Sequence, residues 1–156
     1  MHNDDYLNET FLSKVRDGLL EHGLMIISRA CANPMHRFTY TVGLTAHDHP
    51  ELLIVGVCGE DAQVILNDLG RQVIAGHRFT AGETCDGLLI GGYSLAVIGP
   101  VDPDGDERYP IAAARAVFSD AGPPFQVVMP DDQYRFPWHP GYDMDLAQPL
   151  LGPAPA

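Results

Sequence analysis

The chain has 156 residues, 46% of them hydrophobic and 19% charged, which fits one compact domain with a core large enough to fold unaided and excludes a disordered polymer. A formal charge of −12, with only nine Lys and Arg against 21 Asp and Glu, excludes a nucleic-acid surface, because phosphate binding needs clustered cations. No apolar run approaches the ~20 residues that span a bilayer, and the opening Met1-His2-Asn3-Asp4-Asp5 lacks the layout of a secretory signal, so no membrane contact and a cytoplasmic location are expected.

Residues Asn8 to Glu21 carry Phe11, Leu12, Val15, Leu19 and Leu20 at helical spacing, with Gly23 as a stop, and predict an amphipathic helix. Leu24 to Ala32 and Arg37 to Leu44 predict two strands of a hairpin around the Asn33-Pro34 turn. Thr45 to Pro50 is a polar loop, followed by Glu51 to Cys58, whose apolar residues Leu52, Leu53, Ile54, Val55 and Val57 make a run of strand length that predicts a central strand. A second helix is predicted from Gly59, with Glu60 and Asp61 favoured at its start and an apolar stripe of Ala62, Ile65, Leu66, Leu69 and Val73 that ends at Gly76.

Arg78-Phe79 and Gly87 to Val101 predict further strands, Gly91-Gly92 marking a bulge or bend. Pro110 suits the first turn of a short helix through Phe118, Gly122-Pro123-Pro124 breaks it, and Phe125 to Met129 predicts a last strand. Hairpins outnumber crossovers, so the fold class is α+β, a mainly antiparallel sheet or small open barrel with two to three packed helices. The domain is expected over residues 1–145, with 146–156, small and Pro-rich, as a disordered tail.

Three cysteines, Cys31, Cys58 and Cys85, make neither a disulfide framework nor a Cys-x-x-Cys zinc pair, and buried free thiols are expected. Standard catalytic signatures, phosphate loops and dinucleotide fingerprints are absent from the sequence. The densest polar cluster is His47, His49 and Glu51, spaced by two, where alternate side chains of an extended stretch could converge on zinc with His36, Cys58 or His139 as supplements. Asp131-Asp132 and the aromatic stretch Phe136-Pro137-Trp138-His139-Pro140-Gly141-Tyr142 predict a C-terminal flap that seals the core or walls a pocket.

Phe38-Thr39-Tyr40-Thr41-Val42-Gly43-Leu44, His49-Pro50-Glu51-Leu52, Val73-Ile74-Ala75-Gly76-His77-Arg78-Phe79, and Phe125-Gln126 with Met129-Pro130-Asp131 and Phe136-Pro137-Trp138 together resemble a family of bacterial and phage proteins known as domain of unknown function 4262. The resemblance covers roughly residues 20–140 and implies no reaction; it marks Tyr40, Thr41, Gly43, Pro50, Glu51, Asp131 and Trp138 as its motif positions. In layout, Thr39 to Leu69 is similar to flavin-reductase-like split barrels, which implies flavin binding and a homodimer; the sequence departs from them at the basic and Ser/Thr cluster of the phosphate site, for which Thr41, Thr45 and Arg71 are the nearest counterparts and poor substitutes.

Three functions follow as expectations. The favoured one is a small-molecule-binding or enzymatic domain whose polar site is edged by Tyr40, Thr41, His47, His49 and Glu51, with Asp131 and Trp138 as further ligand-binding candidates. The alternatives are an acidic module that binds a basic protein partner without catalysis, and a flavin-binding oxidoreductase.

Overall fold

The computed structural model describes residues 8–29, 37–85, 94–102, 111–143 and 148–155. Helix α1, Glu9–His22, starts where the Asn8 side chain accepts the Phe11 N–H at 2.8 Å and stops at Gly23, whose φ of 77° suits a residue without a Cβ. Strands β1, Met25–Arg29, and β2, Phe38–Val42, form the expected antiparallel hairpin in a register that sets Ile27 opposite Tyr40. A 3₁₀ turn, Leu44–His47, then leads to β3, Leu52–Val55. Helix α2, Gly59–Ile74, carries the predicted apolar stripe on its buried side. Short strand β4, Thr84–Cys85, strand β5, Leu95–Ile98, helix α3, Ala112–Val117, and strand β6, Phe125–Val128, complete the order.

The six strands make one open sheet in the order β1-β2-β3-β6-β5-β4. Every pairing is antiparallel except β3 with β6, which run parallel with Leu53 opposite Gln126. The α+β class therefore holds in its open-sheet form. Leu52 and Ile54 pack with α2 residues such as Leu66 and Leu69, whereas Leu53 and Val55 pack with Val15 of α1 and Ala113 and Ala114 of α3. Because both faces of β3 are covered, all four of its residues are buried, which explains an unbroken apolar run where a half-solvated strand would alternate.

Three expectations need correction. Arg78 and Phe79 are not strand; they lie in irregular backbone after α2, Phe79 being buried as a plug. Cys58 is exposed because it stands at the N-cap of α2, outside the helix's apolar stripe. The Thr45–Pro50 loop contains a 3₁₀ turn. The Asn33-Pro34 turn, Gly91-Gly92, Pro110, Cys31 and His36 lie outside the described residues, as does the Cys85 side chain. Residues 148–151, within the stretch expected to be a tail, lie against the face of the sheet that carries α1 and α3, with Gln148 9% exposed. Among the described residues no helix is long and apolar enough to cross a membrane.

Candidate functional site

Glu51 sits one residue before β3 and is 1% exposed, and its carboxylate accepts five hydrogen bonds from the protein. Its Oε1 accepts the Thr41 hydroxyl at 2.8 Å and the Leu44 N–H at 3.0 Å. Its Oε2 accepts the Gly43 N–H at 3.2 Å, the Thr45 N–H at 2.9 Å and the Thr45 hydroxyl at 2.6 Å. Three consecutive backbone N–H groups thus converge on one anion, as the open N-terminal end of a 3₁₀ turn allows. Thr41 links this cluster to the sheet, its hydroxyl oxygen accepting the Leu52 N–H at 2.9 Å. Gly43 is required at the corner: its φ is 136°, and a Cβ there would stand 2.7 Å from the Gly23 carbonyl oxygen.

His49, 5% exposed, uses both ring nitrogens. Nδ1 lies 2.7 Å from the Pro50 carbonyl oxygen, so it carries the proton, and Nε2 accepts the Phe79 N–H at 3.1 Å. The ring meets Phe79 and Phe125 edge-on at 6.0 and 5.8 Å. Burial holds its pKa below the ordinary 6.5, with the Arg78 guanidinium and His77 acting in the same direction against the Pro50 carbonyl and the Glu51 charge. His47 is half-buried, and its backbone carbonyl accepts Arg78 Nη2 at 2.7 Å. Among the described residues no three of His, Cys, Asp and Glu stand close enough to hold a metal ion.

The other candidates stand apart from this cluster. Tyr40 is fully buried in β2, its hydroxyl accepting the Ala113 N–H at 3.2 Å and so tying the sheet to α3. Asp131, 2% exposed, organises the C-terminal flap: Oδ1 accepts the N–H groups of Gln133 and Arg135, both at 2.9 Å, while Oδ2 accepts Arg135 Nε at 3.0 Å and the Asp143 N–H at 3.1 Å. Burial pushes that carboxyl upward, but the Arg135, Asp143 and Gln133 N–H groups and the guanidinium outweigh it and hold the pKa below 3.8. Trp138 is half-buried and stacks on buried Phe136 at 5.0 Å, while His139 is exposed. Of the counterparts for a flavin phosphate site, Thr41 and Thr45 both donate to Glu51, and Arg71 donates to the His22 carbonyl at 2.6 Å.

A cleft of about 290 Å3 opens beside the Glu51 cluster, between Thr45, Asp48, His49 and Pro50 on one wall and Pro100, Asp120, Gly122 and Pro123 on the other. Asp48 holds a left-handed backbone conformation, φ 58°, that closes the 3₁₀ turn through its N–H. Among the described residues neither the Asp48 nor the Asp120 carboxylate has a hydrogen-bond or salt-bridge partner, and both residues are exposed. Sequence reading missed this pair. Asp48 was passed over as loop, and nothing local connects it with Asp120, which reaches the cleft only because β6 lies beside β3.

Residues 19–143 match the family model described as Domain of unknown function (DUF4262). The chain belongs to this family. No curated protein and no solved structure matches the chain.

The DUF4262 match spans every motif position singled out in the sequence and ends before the segment 148–151. Within the family domain the motif residues serve separate structural jobs. Thr41, Gly43 and Glu51 fix the 43–45 corner, His49 ties Pro50 to Phe79, Tyr40 ties β2 to α3, and Asp131 closes the flap that carries Trp138. Within the polar loop, Thr45, Asp48, His49 and Pro50 line the cleft, and of these Asp48 is exposed.

Proposed function

We propose that the chain is a binding domain for a small organic cation, seated in the cleft between the Thr45–Pro50 loop and the Asp120–Pro123 turn. The observation that carries this reading is the pair of partnerless carboxylates, Asp48 and Asp120, on opposite walls of a cleft that Pro50, Pro100 and Pro123 also line. Two acids on an apolar, ring-walled groove suit an ammonium or guanidinium on a short hydrocarbon stem, because charge-assisted hydrogen bonds are the strong ones and the stem loses its water against the prolines. A net charge of −12 raises the local concentration of such a cation. At about 290 Å3 the cleft is at the small end of ligand pockets, which favours a compact ligand. His49 lines the same wall with both nitrogens engaged, which supports binding over proton transfer.

The test is an NMR titration of the full chain with n-butylammonium, ethylguanidinium and, as a neutral control, n-butanol. The expected result is saturable shifts at Asp48, His49 and Asp120 with both cations, none with the alcohol, and loss of the response in the Asp48→Asn, Asp120→Asn double variant. Equal response to the alcohol, or an unaffected double variant, overturns the reading.

One observation favours a second reading, a module for a basic protein partner. Arg37, Arg71 and Arg78 donate to backbone carbonyls and not to carboxylates, in a chain with 21 Asp and Glu against nine Lys and Arg. Binding of that kind would weaken steeply with salt and persist in the double variant.

A further inference from the structure

Gln126 is a polar residue at the centre of the sheet, 1% exposed, on a strand whose neighbours are all apolar. Its amide is satisfied entirely by a segment outside the family domain. Nε2 donates to the Pro149 carbonyl at 2.8 Å, and Oε1 accepts the Leu151 N–H at 2.8 Å. A donor to residue j−1 and an acceptor from residue j+1 is the pattern with which one parallel strand reads the backbone of another. The Gln126 amide therefore treats the chain around Leu150 as an added strand and reads main chain, not side chain.

The contact is reciprocal. Gln148 turns its own amide onto the backbone at the end of β6: Oε1 accepts the Met129 N–H and Nε2 donates to the Met129 carbonyl, both at 2.9 Å. Gln148 Nε2 also donates to the Tyr142 hydroxyl at 2.9 Å. Leu150 and Leu151 pack on the core face formed by residues such as Val128 and Phe136. Beyond them the backbone at Gly152 runs so near Val101 that a Cβ would stand 2.9 Å from its Cγ1. Both edges of β6 are paired, to β3 and β5, so this segment is held on the sheet face, by a bidentate side-chain reader of main chain, a second bidentate anchor and an apolar floor.

We propose that this face of β6 is a docking groove for an extended peptide of the type Gln-Pro-Leu-Leu, and that residues 148–151 occupy it in this chain as a displaceable plug. The occupant's chemistry is read from the plug itself: an amide side chain for Met129, a carbonyl and an N–H flanking a leucine for Gln126, and two apolar side chains for the floor. Gln126, Met129 and Tyr142 belong to the family domain, whereas the plug lies past residue 143, so the groove and its filler are separate parts of the sequence. A tethered filler competes at an effective concentration in the millimolar range, so a free peptide displaces the intact plug only in large excess and binds more readily when the plug is weakened.

The experiment uses the full chain with Gln148→Ala and Leu150→Asp, which weaken the plug without touching the groove. A fluorescein-labelled Ala-Gln-Pro-Leu-Leu-Gly peptide is titrated and read by polarisation. The expected result is saturable binding by the plug-weakened chain, at least tenfold weaker binding by the intact chain, and loss of binding when Gln126→Leu is added. Amide hydrogen exchange of the intact chain gives an independent readout: the Leu151 N–H is protected, and excess peptide speeds its exchange. Tail exchange between copies, seen as a concentration-dependent dimer of the intact chain that Gln126→Leu abolishes, also supports the groove. Absence of peptide binding to a folded plug-weakened chain, or a Leu151 N–H that exchanges as fast as a free peptide, overturns the proposal.

Discussion

Replacement of Glu51 by Gln is the sharpest test of what this motif acid does. The side chain keeps its size, so any loss comes from the hydrogen bonds. Five donors now meet two carboxylate oxygens. An amide retains one acceptor oxygen, and its NH2 must face donors wherever it is placed. The least harmful orientation puts it towards Thr41 and Leu44, where the Thr41 hydroxyl can accept from it but the Leu44 N–H meets another N–H. One buried, unsatisfied N–H costs about 1–3 kcal/mol, and bonds to a neutral oxygen are each weaker than to a charged one by about 0.5–1 kcal/mol. With three such bonds remaining, the expected loss is about 4 kcal/mol, a large share of the ~5–15 kcal/mol that holds most domains folded. For a chain of this size it lowers the midpoint by about 8–16 °C. Urea unfolding followed by circular dichroism, with an unchanged slope, measures it directly. If Glu51→Gln lies within about 1 kcal/mol of wild type, or gains stability as freed ligand-binding acids commonly do, the carboxylate is not the post that holds the 43–45 corner.

Four further outcomes follow from the same geometry. Gly43→Ala is expected to cost about 2 kcal/mol or more in urea unfolding, because it adds a left-handed backbone penalty to a contact 2.7 Å from the Gly23 carbonyl oxygen. Tyr40→Phe strands the Ala113 N–H and is expected to cost about 1–2 kcal/mol by the same assay; a neutral result would mean that α3 is not tied to β2 through the hydroxyl. His49, whose pKa is lower folded than unfolded, contributes stability that is fully present above pH 6.5 and is lost as pH falls below it; His49→Phe should remove that slope in midpoint against pH. Asp131, whose pKa is also depressed, contributes stability that is present above pH 3.8 and lost at lower pH, so Asp131→Asn should flatten the acid limb of the same profile and leave the histidine slope intact.

The elements legible in the sequence were those whose neighbours are local or whose pattern is complete. The α2 stripe from Ala62 to Val73, the Asn8 and Gly23 ends of α1 and the β1–β2 hairpin each follow from residues within one element or turn. The parallel pairing of β3 with β6 was illegible, because it joins Leu52 to Phe125 across nearly half of the chain and leaves no local mark. The open form of the sheet depended on that pairing. At the site, Thr41, Gly43 and Glu51 stood out as polar or special residues in an apolar setting, but whether a carboxylate faces donors or a ligand depends on where the N–H groups of the 3₁₀ turn point. Gln126 gave the opposite difficulty: it is one uncharged residue in an apolar strand, and its meaning lies in Pro149 and Leu151.

On the proposed reading, the motif residues would act one step removed from the binding site. Glu51 fixes the start of the 3₁₀ turn, the turn ends at Asp48 in its left-handed conformation, and Asp48 forms the cleft wall. Any ligand of the proposed class would touch Asp48 and Asp120, while Glu51, Thr41 and Gly43 would set only where Asp48 stands. The two roles separate in one experiment. Substitutions at Thr41, Gly43 and Glu51 should lower stability and cation binding together, because the wall moves when its post is lost. Asn at Asp48 and Asp120 should lower binding at constant stability, since neither carboxylate has an internal bond to lose. A protein in which Glu51→Gln abolished binding while leaving the unfolding midpoint in place would reverse that assignment, because only a carboxylate in contact with the ligand affects binding without first affecting the fold.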